Sequence, residues 1–206
     1  LGRSGLKVSE LSLGTMGFGT EWNWGADREA SFQIMEAFAN AGGNFIDTAN
    51  RYTEGTSEKW IGEFVQPNRD HFVIATKYSL HDNLTNVNAS GNNRKNMMRS
   101  VEASLKRLNT DFIDLLYLHI WDNLTPIDEV MRGLDDLVRQ GKVNYIGFSE
   151  WNAEQISSAL KIQDARGYSR FVSSQPQYSA LWRVIEAEVV PLSRKEGIGQ
   201  IVWSPI

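Results

Sequence analysis

Seven short apolar runs recur along the chain about every thirty residues, the length of one βα unit, and each ends in a polar, aromatic or small residue of chemical use. The ends are Gly14-Thr15-Met16, Phe45-Ile46-Asp47, Ala75-Thr76-Lys77, Tyr117-Leu118-His119, Gly147-Phe148-Ser149, Ser174-Gln175 and Val202-Trp203-Ser204. Between the runs, apolar residues fall at helical spacing. Asp27 is a predicted N-cap for a helix carrying Phe32, Ile34, Met35, Ala37 and Phe38, which Gly42-Gly43 stops. Strands are predicted at 44–47, 72–76, 113–118, 143–148, 171–174 and 198–203. The intervening helices hold Trp60, Ile61, Phe64 and Val65, then Met97, Met98, Val101, Leu105 and Leu108, then Val130, Leu134, Leu137 and Val138, with Pro126 at the first helical position. Asn152 is predicted to cap a helix through Ile156, Leu160 and Ile162, and a last helix is expected around 184–194.

This alternation is that of an α/β protein with a parallel sheet. An open doubly wound sheet would place a Gly-rich phosphate turn after the first strand, but Gly14-Thr15-Met16-Gly17-Phe18-Gly19 has the wrong order for G-x-G-x-x-G, and no Walker A sequence occurs. The pattern therefore predicts a (β/α)8 barrel of the TIM type, in one domain spanning 1–206 and cut short after strand 7. In such a barrel the C-terminal strand ends converge, so residues far apart in sequence share one pocket.

Composition narrows the function classes. At 206 residues and 41% hydrophobic content the chain can bury a sizeable core. Its net charge of −4 argues against nucleic acid as a partner. The most basic segment, with Arg94, Lys95, Arg99, Lys106 and Arg107, reads as a solvated helix face. The absence of cysteine removes thiolate ligands, and the three histidines have no i, i+4 partners, so no metal site is expected. No apolar run approaches the length of a membrane span, and a cytoplasmic protein with no membrane partner is expected.

Asp47, Tyr52, Lys77 and His119 stand at successive strand ends or just beyond. A tyrosine hydroxyl ordinarily titrates near 10, so proton transfer at neutral pH calls for a cation that stabilises its anion. Lys77 can supply that cation, Asp47 can hold the lysine charged, and His119 can orient a carbonyl oxygen or relay a proton. These are the parts needed to protonate a carbonyl oxygen while hydride reaches its carbon.

With these residues in order stand Leu1-Gly2-Arg3-Ser4-Gly5-Leu6-Lys7-Val8-Ser9, Asp47-Thr48-Ala49-x-x-Tyr52, Thr76-Lys77, Asp114-Leu115-Leu116-Tyr117-Leu118-His119, Gly141-Lys142-Val143-x-Tyr145-Ile146-Gly147-Phe148-Ser149 and Trp203-Ser204-Pro205. The chain resembles the aldo-keto reductases throughout. The first motif is most similar to the branch with bacterial reductases and relatives of the potassium-channel β-subunits. The resemblance implies a barrel that binds NADP (NADPH) in extended form, with NAD not excluded, and reduces aldehydes or ketones to alcohols. Tyr52 would be the general acid/base, Lys77 its tuning cation, Asp47 the partner of Lys77, and His119 the group that positions the carbonyl.

The same resemblance places Ser149 and Gln175 on the nicotinamide carboxamide, Trp203 against its ring, and Ser204, Pro205 and Ile206 at the start of the pyrophosphate segment. Thr15, Met16, Asp47 and Glu150 join the implied cofactor-binding set. Glu150 stands where many members have Asn, so an acidic contact to the carboxamide is expected there. Met16 replaces a common Trp beside the substrate. Trp22, Trp24, Tyr78, Trp121 and Trp151 are expected to line the pocket, which suits apolar or ring-bearing carbonyls. The partner is a small-molecule carbonyl substrate, with a homo-oligomer possible. The 2′-phosphate of NADP would be held by an eighth βα unit outside 1–206. The alternative is a nucleotide-binding sensor module like the channel β-subunits, against which His119 speaks, since those subunits tend to lack it. An isomerase or lyase on the same barrel would need a phosphate grip or a metal.

Overall fold

Strict alternation along parallel strands organises the computed structural model, which describes residues 1–206. Seven strands, β1 (Leu13–Gly14), β2 (Phe45–Asp47), β3 (Val73–Tyr78), β4 (Ile113–Leu118), β5 (Val143–Ser149), β6 (Ser173–Gln175) and β7 (Gly199–Gln200), pair in chain order, every pair parallel. The sheet is curled, because side chains from distant strands meet inside it. Gln175 on β6 donates from Nε2 to Asp47 Oδ1 on β2 at 2.7 Å, and the Tyr117 hydroxyl on β4 bonds Ser173 on β6 at 2.6 Å. The fold is thus a (β/α)8 barrel through its seventh strand.

Helices α1 (Arg28–Asn40), α2 (Thr56–Val65), α3 (Arg94–Leu108), α4 (Ile127–Arg139), α5 (Ala153–Arg166) and α6 (Val189–Glu196) cover the outer face. The main core lies between them and the outward residues Ile46, Ile74, Leu116, Leu118, Ile146 and Phe148. A smaller core of Phe45, Val73, Ala75, Leu115 and Tyr117 fills the interior, with Leu1, Leu6 and Val8 packed against it. Tyr117 needs Gly147 beside it: a Cβ there would stand 2.5 Å from the tyrosine ring. With period two, inward Phe45, Ala75 and Tyr117 dictate inward Asp47, Lys77 and His119, and inward Gly147 dictates Ser149.

Caps set the helices. Asp27 accepts from Ala30 N at 2.9 Å, and Asn152 forms a reciprocal capping box with Gln155. Four expectations are corrected. Pro126, predicted as the first helical residue, is instead the N-cap of α4, one position ahead of its first helical residue Ile127. The predicted helix at 184–194 divides into a 3₁₀ turn, Val184–Glu186, and α6, because a continuous helix would put the Pro191 ring against the Ala187 carbonyl; restarting at Val189 leaves Pro191 in the first turn. Strand 7 is two residues rather than six, since its partner β6 ends at Gln175, just before Pro176, which has no N–H to extend the ladder. The basic face of α3 is not fully solvated: Arg107 reaches inward to the fully buried carboxylate of Glu58 at 2.5 Å, and Glu58 also accepts from Thr76 at 2.6 Å. No helix is long and apolar enough to cross a membrane.

Candidate active site

The C-terminal strand ends open into a cavity of about 600 Å³, within the usual size of a small-molecule site. Its wall includes Thr15, Met16, Trp22, Asp47, Arg51, Tyr52, Leu80, His119, Ile120, Ser149, Glu150, Gln175, Trp203 and Ser204. Lys77 lies beneath it with 1% of its surface exposed. Its ammonium donates to Asp47 Oδ2 at 2.6 Å, to the Thr48 carbonyl at 2.8 Å and to the Tyr52 hydroxyl oxygen at 3.1 Å. All three N–H groups are thereby used. The phenolic oxygen of Tyr52 accepts from Lys77, so its own proton is left to point elsewhere.

Tyr52 reaches this place by an unusual turn. Thr53 and Glu54 both adopt left-handed backbone (φ 46° and 56°), and the buried Thr53 hydroxyl donates to the Phe18 carbonyl at 2.5 Å. Such conformations persist when the surroundings over-determine them. Gly19 makes room, because a Cβ there would lie 2.7 Å from Thr53 Cβ. His119 stands edge-on to Tyr52, with ring centroids 6.0 Å apart, and its Nδ1 is buried without a protein partner.

Burial raises the Tyr52 pKa above its ordinary value, and the opposing pull of Lys77 does not cancel that. Lys77 still pulls the pKa down, but burial outweighs that pull, so the hydroxyl stays protonated at neutral pH. Burial also works against the Lys77 ammonium, but Asp47 and then Tyr52 outweigh it, so its pKa is raised. His119 is pushed down to about 3 by burial, with Lys77 adding to the effect. It is a neutral imidazole at physiological pH.

The remaining expected residues divide. Thr15 is buried, its hydroxyl bonded to the Asp47 carbonyl and to Ser57. Ser149 donates to the Gln175 carbonyl at 2.7 Å. Pro205 stands away from the cavity, beside Tyr178 and Arg183, and Ile206 is fully exposed. Glu150 lines the cavity but is tied to the protein through one carboxylate oxygen: Oε1 accepts from Gln177 N at 2.6 Å and from Trp203 Nε1 at 2.7 Å. Of the five aromatics expected to line the pocket, Trp22 does. Trp151 stacks on Phe148 in the main core, Trp121 packs on Trp151, Tyr78 is buried behind β3 and Trp24 lies half-exposed off the wall. Sequence reasoning missed Arg51, which sits over Trp22 and pairs with Glu54; its adjacency to Tyr52 was the available signal.

A profile of the Aldo/keto reductase family matches residues 10–206. The chain belongs to the aldo/keto reductase family. Similar proteins include a norsolorinic acid reductase of Aspergillus flavus, 40% identical over 97% of this chain and 54% of that protein. An aryl-alcohol dehydrogenase [NADP(+)] of Phanerodontia chrysosporium is 41% identical over 97% of this chain and 56% of its own length. Norsolorinic acid reductase B of Dothistroma septosporum is 43% identical over 94% and 52%. The chain thus spans about half the length of the curated relatives it matches.

Proposed function

We propose that the protein is a nicotinamide-dependent reductase that converts aldehydes or ketones to alcohols, with Tyr52 as general acid, Lys77 and Asp47 as its support and His119 as the group that orients the carbonyl. The observation that carries this reading is the Lys77 ammonium, buried and donating at once to Asp47 and to the Tyr52 hydroxyl that lines the cavity. The cofactor fits the polar groups left on the wall. Ser149 Oγ has already given its proton to the Gln175 carbonyl, and Gln175 Nε2 gives one of its two N–H groups to Asp47, so beside the remaining Gln175 N–H the wall offers Ser149 Oγ and Gln175 Oε1 as acceptors. An amide N–H₂, such as the nicotinamide carboxamide, matches them. Trp203 would flank the ring, with Thr15, Met16 and Ser204 nearby, and Pro205 and Ile206 would lead toward the pyrophosphate.

When bound, the cofactor supplies hydride. Tyr52 supplies the proton to the carbonyl oxygen. Lys77, held by Asp47, lowers the cost of the phenolate left behind, and neutral His119 donates a hydrogen bond without competing as an acid. Met16, Trp22, Leu80 and Ile120 give the wall an apolar, partly aromatic character that suits aryl carbonyls, in keeping with the aryl-alcohol dehydrogenase among the relatives. That relative's name also favours NADP over NAD. The relatives above are fungal; the link to bacterial and channel β-subunit proteins rests on the N-terminal motif alone. A cytoplasmic location accords with this chemistry.

The test is to titrate the full-length protein with NADPH and NADH, then screen aryl aldehydes and ketones by loss of nicotinamide absorbance. Tyr52→Phe should lower turnover by at least about 10²-fold, the low end for a general acid, with cofactor affinity nearly unchanged. Retention of more than about a tenth of wild-type turnover would overturn the assignment of Tyr52 as the acid.

A further inference from the structure

Three residues on the cavity wall carry ionised side chains: Asp47, Arg51 and Glu150. Asp47 is neutralised by Lys77, and Arg51 by Glu54. Glu150 has no basic partner at all. Its carboxylate is instead engaged by two neutral donors, the Gln177 N–H at 2.6 Å and the Trp203 indole N–H at 2.7 Å. These contacts leave its negative charge intact. They also fix its position, because Glu150 takes left-handed backbone (φ 58°) directly after β5 and ties the end of that strand to segments following β6 and β7.

The backbone of Trp203 is held separately: it bridges to Gln177, and its N–H donates to the Pro176 carbonyl at 3.2 Å. The indole N–H has Glu150 as its partner. Half-exposed on the cavity wall, the ring is held at its indole N–H by this one carboxylate, and a charge-assisted hydrogen bond is about twice as strong as a neutral one.

We propose that Glu150 is a positioning and redox-selecting residue: it sets the Trp203 indole as a wall of the nicotinamide site and holds an uncompensated negative charge there, so that the oxidised, cationic nicotinamide binds more tightly than the reduced, neutral ring. This rests on the nicotinamide reading of the cavity given above. The two cofactor forms share their phosphates and ribose, so the ratio of their affinities isolates the ring charge.

Two variants separate position from charge. In Glu150→Gln the side-chain oxygen still accepts from both N–H groups, but the charge is gone; Glu150→Leu removes both. In full-length protein, the dissociation constants of NADP⁺ and NADPH are measured by fluorescence titration. The Trp203 indole N–H is followed by NMR, assigned by its absence in Trp203→Phe. Glu150→Gln should reduce the preference for NADP⁺ over NADPH by about two- to fivefold, the size of a partly solvated charge contact, and leave the indole N–H protected from exchange. Glu150→Leu should lose the preference and the protection together. An unchanged affinity ratio in Glu150→Gln overturns the redox role, and an indole still protected in Glu150→Leu overturns the positioning role. Failure of the wild-type protein to bind either nucleotide overturns both this inference and the cofactor reading beneath it, whereas binding with an unchanged ratio overturns the inference alone.

Discussion

Among the groups facing the cavity, His119 is the one whose pKa moves furthest from its ordinary value. Its pKa falls from 6.5 to about 3, chiefly through burial and secondly through Lys77. Between those values the unfolded chain binds a proton that the folded protein refuses. Stability therefore falls as the pH drops from 6.5 toward 3, by up to about 1.4 kcal/mol per pH unit from this group. His119→Gln should flatten that part of the curve; urea midpoints of both proteins between pH 7 and 4 check this, and parallel curves would count against it. The sequence made this site unusually legible at the level of single residues. Once Asp47, Lys77 and His119 end runs of alternating strand, their common inward face follows from period two. The same rule turns Tyr78 outward, since it follows inward Lys77, against the expectation that it lines the pocket. The cluster of Arg51, Glu54 and Trp22 was not legible, because it depends on two consecutive left-handed residues that only the packing of Thr53 against Phe18 and Gly19 enforces.

At the scale of elements, α2, β3 and α3 are joined by one charge pair that periodicity did not announce. Glu58 on α2 is fully buried, bonded to Thr76 on β3 and to Arg107 on α3, while the Arg107 side chain keeps about a fifth of its surface in water. The two ends are not equivalent. Removing Arg107 strands a carboxylate in the core, a loss of the kind that costs about 3–5 kcal/mol. Removing the charge of Glu58 leaves an arginine that can turn to solvent. Arg107→Met should thus destabilise clearly more than Glu58→Gln, as read from chemical denaturation midpoints. Equal losses would mean that the carboxylate is neutral or hydrated in the fold. Helical spacing identified α3 correctly but treated Arg107 as solvated, since a pattern along one helix cannot show what the neighbouring helix buries.

At the scale of the whole molecule, closure decides what residues 1–206 can do by themselves. Every strand pairs with its sequence neighbour, but β1 and β7 do not pair with each other, so two sheet edges keep unpaired backbone groups. Near β7, Tyr178, Ile185, Val190, Ile198 and Val202 surround a second cavity, and the Gln200 side-chain amide finds no partner. A barrel avoids such edges by closing on itself, and an exposed edge is a template for pairing with another chain. The same edge bears on function, because Trp203 and Ser204 reach the main cavity directly beyond β7. Residues 1–206 expressed alone should therefore self-associate or melt without a sharp transition, and should bind NADPH poorly, whereas a protein supplying further strand and helix across β7 and β1 should do neither. Size-exclusion chromatography, a thermal melt and an NADPH titration of the isolated segment measure this directly. A monomer with a cooperative transition and low-micromolar affinity would show that the interior contacts, from Asp47 to Gln175 and from Tyr117 to Ser173, hold the curled sheet and its site together without closure.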